Sequence, residues 1–364
     1  MAQQTLPQTT AGGSLVVGGC GFLGYHIVQH LLRDAAFSPV HVLDIEITKN
    51  LVDGVTYTQG GITDKDDMNA ILQRHRPRIV FHMASPLASL PSSRHKEFFE
   101  TNVEGTQVLL DASKTAGVKA FVYTSTVDVY AGPPHSSLGE DAPLWTDVPK
   151  KSAKMSEYCR TKAIADGIVR LANSPSFQTV VLRPGHVYGE RHTQGLYEML
   201  EAAKGAKPLV QLRTDALMEV ASADNVAAGH VLAAKALLAG DGRVAGEAFN
   251  LSDGAPVPFW HHVRVIWTVA RGKEAVKNVW TLSPWVMKSV VAVAELLFWA
   301  LSLGKATPPT ELTSASLSYC VEDHSYSTSK AQQLLGFAPV ANHDEVLAES
   351  VRWELRRRGQ PVMG

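Results

Sequence analysis

The run "LVVGGCGFLGYHIVQHLL", from Leu15 to Leu32, places an apolar strand, a cluster of glycines and an amphipathic helix in immediate succession. Few folds need that combination. Gly18, Gly21 and Gly24 stand at spacing three, with Gly19 beside the first. Glycines there permit a tight turn, let the backbone approach a pyrophosphate closely, and leave the first amides and the positive dipole end of the helix facing an anion. A second apolar run, "PVHVLDIE", brings Asp44 to a point twenty residues after Gly24. A carboxylate at that place accepts hydrogen bonds from ribose hydroxyls and repels a 2′-phosphate. The pattern predicts a dinucleotide site, with NAD favoured over NADP because of Asp44.

Further apolar runs of strand length, "RIVFHMAS", "AFVYTSTVDVY" and "TVVLRPGHVYG", alternate with helical periodicities such as "TNVEGTQVLLDASKTAG". That rhythm predicts an α/β chain: a doubly wound parallel sheet of Rossmann type with a smaller C-terminal substrate lobe. The expected division is a flexible N-terminus over 1–13, a dinucleotide-binding domain with the catalytic residues over 14–190, and a substrate-binding lobe over 191–364. A chain of 364 residues, 45% hydrophobic, can bury cores of that size. Lys plus Arg number 34 against 35 Asp plus Glu, so no positive surplus exists to hold nucleic acid through its phosphates. Three scattered cysteines fit a reducing compartment. The opening "MAQQTLPQTTAGG" has neither the basic start nor the apolar run of a secretion signal. These features lead us to expect a cytosolic or nuclear setting.

One late segment stands apart. "VMKSVVAVAELLFWALSL", residues 286–303, is nearly all apolar, and Lys288, Glu295 and Ser302 recur every seven residues as one polar stripe. Two readings fit: a helix lying in a membrane interface, apolar side down, or a buried helix of the C-terminal lobe.

In "MSEYCRTKAIAD", Tyr158 and Lys162 are four apart and share one face of a helix. An ammonium beside the phenol favours the phenolate and brings a group of pKa ~10 toward the working pH. Such a phenolate takes the proton of an alcohol as a hydride leaves its carbon. Upstream, "FVYTSTVDVY" is a strand with Thr124, Ser125 and Thr126 at its end, where a parallel sheet opens onto its ligand.

These pieces in this order resemble the extended short-chain dehydrogenases/reductases, and within them the 3β-hydroxysteroid dehydrogenase group. The resemblance runs from about Ser14 to Trp353 and is carried by "VGGCGFLG", "VFHMASP", "TNVEGT", "VYTSTVDVY", "YCRTK", "VLRPGHVYG", "SADNVAAGHVLAA" and "YSTSKAQQLLGFAP". It implies a catalytic set of Thr126, Tyr158 and Lys162, with Ser125 as the neighbouring alternative to Thr126 and Asn102 as a supporting helix residue. It implies cofactor contacts from Gly18, Gly21, Phe22, Leu23, Gly24, Asp44, Ile62, Ala84, Ser85, Tyr158, Lys162, Pro184 and Val187. The implied substrate pocket comprises Pro86, Thr126, Asp128, Gly185, His186 and His192. "SDGAPVPFWHHV" and the apolar late helix look most like the fungal sterol-4α-carboxylate 3-dehydrogenases of the decarboxylating branch. The expected reaction is therefore NAD-dependent hydride transfer at a secondary, 3β-type alcohol of a sterol, terpenoid or similar hydrophobic molecule, with or without decarboxylation of a β-keto acid product.

Departures from the family pattern fall near the ligands. "GGITD" puts Gly61 where relatives often carry an Asp that meets the adenine, which leaves Asp64 as a helix N-cap; "RHTQG" follows "VYGE", and "VQLRTDALMEV" lacks a Gly-Asp-Gly turn. A diverged member acting on a terpenoid or polyketide alcohol fits these changes. Two other readings stay open: a nucleotide-sugar epimerase or dehydratase using the same Tyr and Lys, and a non-catalytic NAD-binding sensor or scaffold. His261 and His262 have no third ligand at metal spacing, so no metal is expected. The expected partners are a small hydrophobic substrate, a peripheral membrane contact through 286–303 and a second copy in a homodimer, and not nucleic acid. The expected location is the cytoplasm or the cytosolic face of the endoplasmic reticulum.

Overall fold

The computed structural model describes residues 12–89, 94–148, 156–192, 196–204, 208–302 and 313–363. The expected flexible lead-in lies almost entirely outside the described residues, as do Met155 and the segment 193–195.

Alternation along each strand builds the main sheet. In β1 (Ser14–Val17), Val16 packs with Ile27, Val28 and Leu31 of α1 (Phe22–Leu32), whereas Leu15 and Val17 join a second core on the other face. Period two sends successive side chains to opposite sides. The chain continues through β2 (Val40–Asp44), β3 (Thr56–Gln59), α2 (Lys65–His75), β4 (Ile79–His82), α3 (Lys96–Phe99), α4 (Thr106–Thr115) and β5 (Ala120–Thr124). After β6 (His135–Leu138) come α5 (Glu157–Leu171), β7 (Gln178–Pro184), β8 (His186–Tyr188), α6 (Leu196–Ala202), β9 (Val210–Leu212), β10 (Leu217–Met218), β11 (Val220–Ser222), α7 (Ala223–Leu238) and β12 (Ala248–Leu251). Asp64 caps α2, its carboxylate accepting from the amides of Asp66 and Asp67, so the role expected of it is the one it has.

Seven strands form one sheet in the order β12-β7-β5-β4-β1-β2-β3, every pair parallel. Helices α1 and α7 cover one face, and α2, α4 and α5 the other. This is the doubly wound Rossmann arrangement, with its switch point between β1 and β4. Ligands of such sheets lie beyond the carboxyl ends of the strands at that point. The expected boundary at residue 190 does not divide the sheet, because β12 pairs with β7 through Ala248↔Val181 to Leu251↔Pro184. The run "AFNLSD", which falls within the expected lobe over 191–364, is therefore the sheet's edge strand.

The smaller lobe is built from β13 (Val257–Pro258), α8 (Phe259–Arg271), α9 (Lys273–Lys277), β14 (Trp280–Leu282), α10 (Pro284–Ser302), α11 (Ser314–Val321), β15 (His324–Tyr326), α12 (Ser329–Leu335) and α13 (His343–Arg357). Its core joins Leu196 and Leu200 of α6, Ile266 and Trp267 of α8, and Leu347, Val351 and Leu355 of α13. One element there fails the buried reading. In α10 only Val291 is buried, while Trp285, Val290, Val293, Leu296, Leu297, Trp299 and Leu301 are exposed. The polar stripe does not simply face water either. Glu295 turns toward the protein, its carboxylate accepting from the backbone amide and the hydroxyl of Ser314 at 2.7 Å each, at the start of α11. By length and composition α10 could also cross a membrane.

Candidate active site

The glycine turn is closed to any side chain. A Cβ on Gly24 would lie 2.2 Å from the Gly18 carbonyl oxygen, and one on Gly18, whose φ is +86°, would lie 2.8 Å from the Ala84 amide. Phe22 opens α1 with no side-chain cap and no acidic residue in the first turn, so the positive helix end faces the cleft. Asp44 is pinned beside it. One carboxylate oxygen accepts from the Cys20 amide at 2.9 Å and the other from the Glu46 amide at 3.2 Å.

Two adjoining cavities share Gly18, Gly21, Met83, Ser85 and Pro86 on their walls. The first, of about 510 Å³, holds Asp44, Ile62 and Ala84, together with Gly61. The second, of about 740 Å³, holds Phe22, Leu23, Gly24, Ser125, Thr126, Asp128, Tyr158, Lys162, Pro184, Gly185, His186, Val187 and His192. Among the residues expected at the site, Asn102 alone lies off these walls. A glycine turn sterically open only to backbone, an uncapped helix end and a carboxylate at the end of β2 together fit a dinucleotide laid across the switch point.

The chemistry-bearing side chains are held by a chain of contacts reaching well behind the cleft. Thr126 caps the short turn 127–129; its hydroxyl donates to the Asp128 carboxylate at 3.1 Å and accepts from the Asp128 amide at 3.2 Å. Ser125 is buried and its hydroxyl has no partner among the described residues, which leaves it free to meet a ligand. Lys162 is buried, donates to the Thr124 carbonyl at 2.6 Å and lies 4.4 Å from the centre of the Tyr123 ring. Burial pulls its pKa down to about 7, against the opposing pull of Asp166. Arg183 of β7 forks onto that same Asp166 at 2.8 and 2.9 Å, both side chains being fully buried, and so ties α5 to the sheet.

The phenol departs from expectation. Burial first, and then the Asp128 charge, push the Tyr158 pKa far up, and only the Thr126 hydroxyl works the other way. Lys162 donates to the Thr124 carbonyl and is not among the groups that pull the phenol down. Asn102 sits in a π-helical segment, Glu100–Gly105, and its side-chain amide donates to the Thr161 hydroxyl at 3.0 Å. π segments of this kind recur at functional sites. Through Thr161, which bonds back to the Glu157 and Tyr158 carbonyls, Asn102 supports the turn that carries Tyr158.

Several residues of the site carried no signal in the sequence. Tyr319 of α11, and Trp353 and Arg357 of α13, close the far wall of the larger cavity, and only the return of the C-terminal helices brings them there. His230 of α7 faces the Thr124 hydroxyl at 2.7 Å with its other ring nitrogen on the Val226 carbonyl, and so holds the segment whose carbonyl receives Lys162.

A profile of the 3-beta hydroxysteroid dehydrogenase/isomerase family matches residues 15–282. The chain belongs to that family. Its relatives include the decarboxylating sterol-4-alpha-carboxylate 3-dehydrogenase of Saccharomyces cerevisiae, 30% identical over 93% of this chain and 97% of the relative. The enzyme of the same name from Homo sapiens is 30% identical over 95% and 89%. As a family member the chain is an oxidoreductase of the short-chain dehydrogenase type, built for hydride exchange at a CH–OH group. Among solved structures, a dTDP-glucose 4,6-dehydratase of Streptomyces venezuelae, with NAD and TYD bound, superposes with a TM-score of 0.70 at 23% identity over 95% of this chain and 98% of that one. A UDP-glucose 4-epimerase of Thermotoga maritima gives 0.68 at 20% identity over 95% and 99%. Those two share the fold.

Proposed function

We propose that the protein is an NAD-dependent dehydrogenase of a secondary, 3β-type alcohol on a hydrophobic sterol- or terpenoid-like skeleton. The observation that carries this reading is the meeting of Tyr158, Thr126, Ser125 and Lys162 in the cavity that also holds the glycine turn. The decarboxylating dehydrogenases among its relatives support the substrate class, and the pinned Asp44 supports NAD over NADP. When bound, NAD supplies the hydride acceptor. Tyr158 takes the hydroxyl proton of the alcohol, Thr126 or the free Ser125 holds the substrate oxygen, and Lys162 anchors the ribose side of the site. If the product carries a carboxylate β to the new ketone, its C–C bond breaks, the electron pair passes into an enolate, carbon dioxide leaves and solvent returns the proton.

The exposed apolar face of α10 further supports a protein lying on a membrane, which we place at the cytosolic face of the endoplasmic reticulum. Purified protein with NAD is to be tested on 3β-hydroxy-4-carboxysterols, other terpenoid alcohols and UDP-sugars, following absorbance of the reduced cofactor. Turnover of the hydrophobic alcohols is expected, and Tyr158→Phe should cut kcat by ~10²–10⁴ while sparing NAD binding. Turnover of UDP-sugars alone would replace the substrate class, and unaltered turnover by Tyr158→Phe would remove the catalytic role.

A further inference from the structure

His261 and His262 lack a third ligand along the sequence, but the fold supplies two from the C-terminus. α8 and α13 bring their first turns together, so that His261 meets His343 and Asp344. The three ligand atoms all lie within 4.8 Å of one another. Asp344 Oδ1 is 2.7 Å from His261 Nε2 and 2.7 Å from His343 Nδ1. We propose that His261, His343 and Asp344 form a binding site for a zinc-class divalent cation, coupled through His262 to the wall of the substrate pocket.

The donor set selects the class of metal. Two imidazoles and one carboxylate suit zinc and its neighbours, whereas magnesium and calcium prefer oxygen ligands alone. Bonds of 2.0–2.2 Å in a tetrahedral site separate ligand atoms by about 3.3 Å, so the triangle must relax by about an ångström. It has the freedom to do so, since the side chains of His261 and Asp344 are 48% and 59% exposed. His343, at 9%, is the fixed member. Three protein ligands leave the fourth position to water. Both helix N-termini oppose a cation, and the Asp344 charge offsets that.

The other nitrogen of His343 is already engaged as a metal ligand requires. His343 Nε2 lies 2.8 Å from Nδ1 of His262, a buried residue whose ring packs edge-on against His186 at 5.5 Å and 88°. His186 lines the larger cavity. Ligating histidines bind such partners through their second ring nitrogen, which fixes the tautomer. Without metal, the Asp344 carboxylate can only accept, so the His343 proton sits on Nδ1 and Nε2 accepts from His262. Metal on Nδ1 shifts that proton to Nε2, which then donates to His262 Nδ1, and the His262 proton moves to its Nε2. Both rings stay neutral and no proton is lost. Occupancy at the surface thus reverses a hydrogen bond one ring away from the pocket wall.

The test is calorimetric titration of zinc chloride into the chelator-treated full chain, with His261→Ala and Asp344→Asn compared with the unaltered protein and circular dichroism confirming their fold. One zinc per chain should bind and be lost in both variants, and His262→Gln should weaken it by about 10–100-fold. Magnesium chloride should not compete. In ¹⁵N spectra of labelled histidine, zinc should exchange the protonated and bare nitrogens of His343 and His262. Equal zinc binding by both variants would overturn the site, as would displacement by magnesium. Binding that leaves the ring-nitrogen signals of His262 unmoved would overturn the coupling.

Discussion

Tyr158 stands in the free chain as a neutral phenol, pressed toward that form by burial and by a carboxylate four residues past the end of β5. Asp128 is itself buried, which raises its pKa, with Thr126 opposing; once ionised, it raises the Tyr158 pKa further. Oxidation of an alcohol needs the phenolate, so Asp128 works against the base it neighbours. Asp128→Asn keeps an acceptor for the Thr126 hydroxyl and removes the charge. Removing a negative charge favours the phenolate and lowers the Tyr158 pKa. The acid limb of kcat/KM for oxidation should therefore move to lower pH in Asp128→Asn. A pH–rate profile measures this, and a limb that stays put or moves up would show that the carboxylate does not act on the phenol. Tyr158 and Lys162 were legible because i and i+4 on a helix is a local relation. The assignment of the ammonium to the Thr124 carbonyl was not, because that contact spans 38 residues.

At the scale of elements, α10 shows how far composition carries and where packing takes over. Its apolar character was plain in the sequence, and so was the seven-residue polar stripe. What the stripe does was not, because Glu295 is spent on Ser314 at the start of α11 and the partner lies 19 residues away. The packed face is thereby narrow, and among the described residues nothing covers the wide apolar remainder. If that remainder enters a bilayer, each fully buried leucine contributes roughly 1.5–3 kcal/mol. The double change Leu296→Asp with Leu297→Asp should then weaken binding to neutral phosphatidylcholine vesicles by about a hundredfold or more, read by flotation. Glu295→Gln faces the protein and should leave flotation unchanged. Vesicle binding that survives the leucine changes would dismiss α10 as the anchor.

For the whole molecule, β1, β2, β4, β5 and β7 were readable because each is a short apolar run in a strand-helix rhythm, whereas β3, the half-exposed TYTQ that follows β2 with no helix between, was not; the glycine turn, Asp44 and the hydroxyls after β5 fall at strand ends by that same rhythm. The edge strand β12, the wall formed by Tyr319, Trp353 and Arg357, and the meeting of His261 with α13 depend on returns across many tens of residues, for which no local pattern exists. The fold also buries histidines. His41, His82 and His230 come from β2, β4 and α7 and are almost wholly enclosed; burial lowers their pKa values to about 4, 3 and 4 from 6.5. Each is neutral in the fold and charged in the unfolded chain once the pH falls below 6.5. Between about pH 6.5 and 4 these three groups alone let the unfolded chain bind up to three more protons than the native one. Stability should fall with falling pH by ~1.4 kcal/mol per unit for each such group. Asp128 and Glu219, whose pKa values burial raises, pull the other way and temper the slope. Neither ring nitrogen of His41 has a hydrogen-bond partner among the described residues, so His41→Leu removes one proton-binding group from the unfolded chain without breaking a hydrogen bond there. Urea unfolding at a series of pH values from 7 to 4.5 should show a steep loss of stability below 6.5, and a shallower one in His41→Leu. A flat profile, or an equal slope in the variant, would mean that these imidazoles are protonated in the folded state.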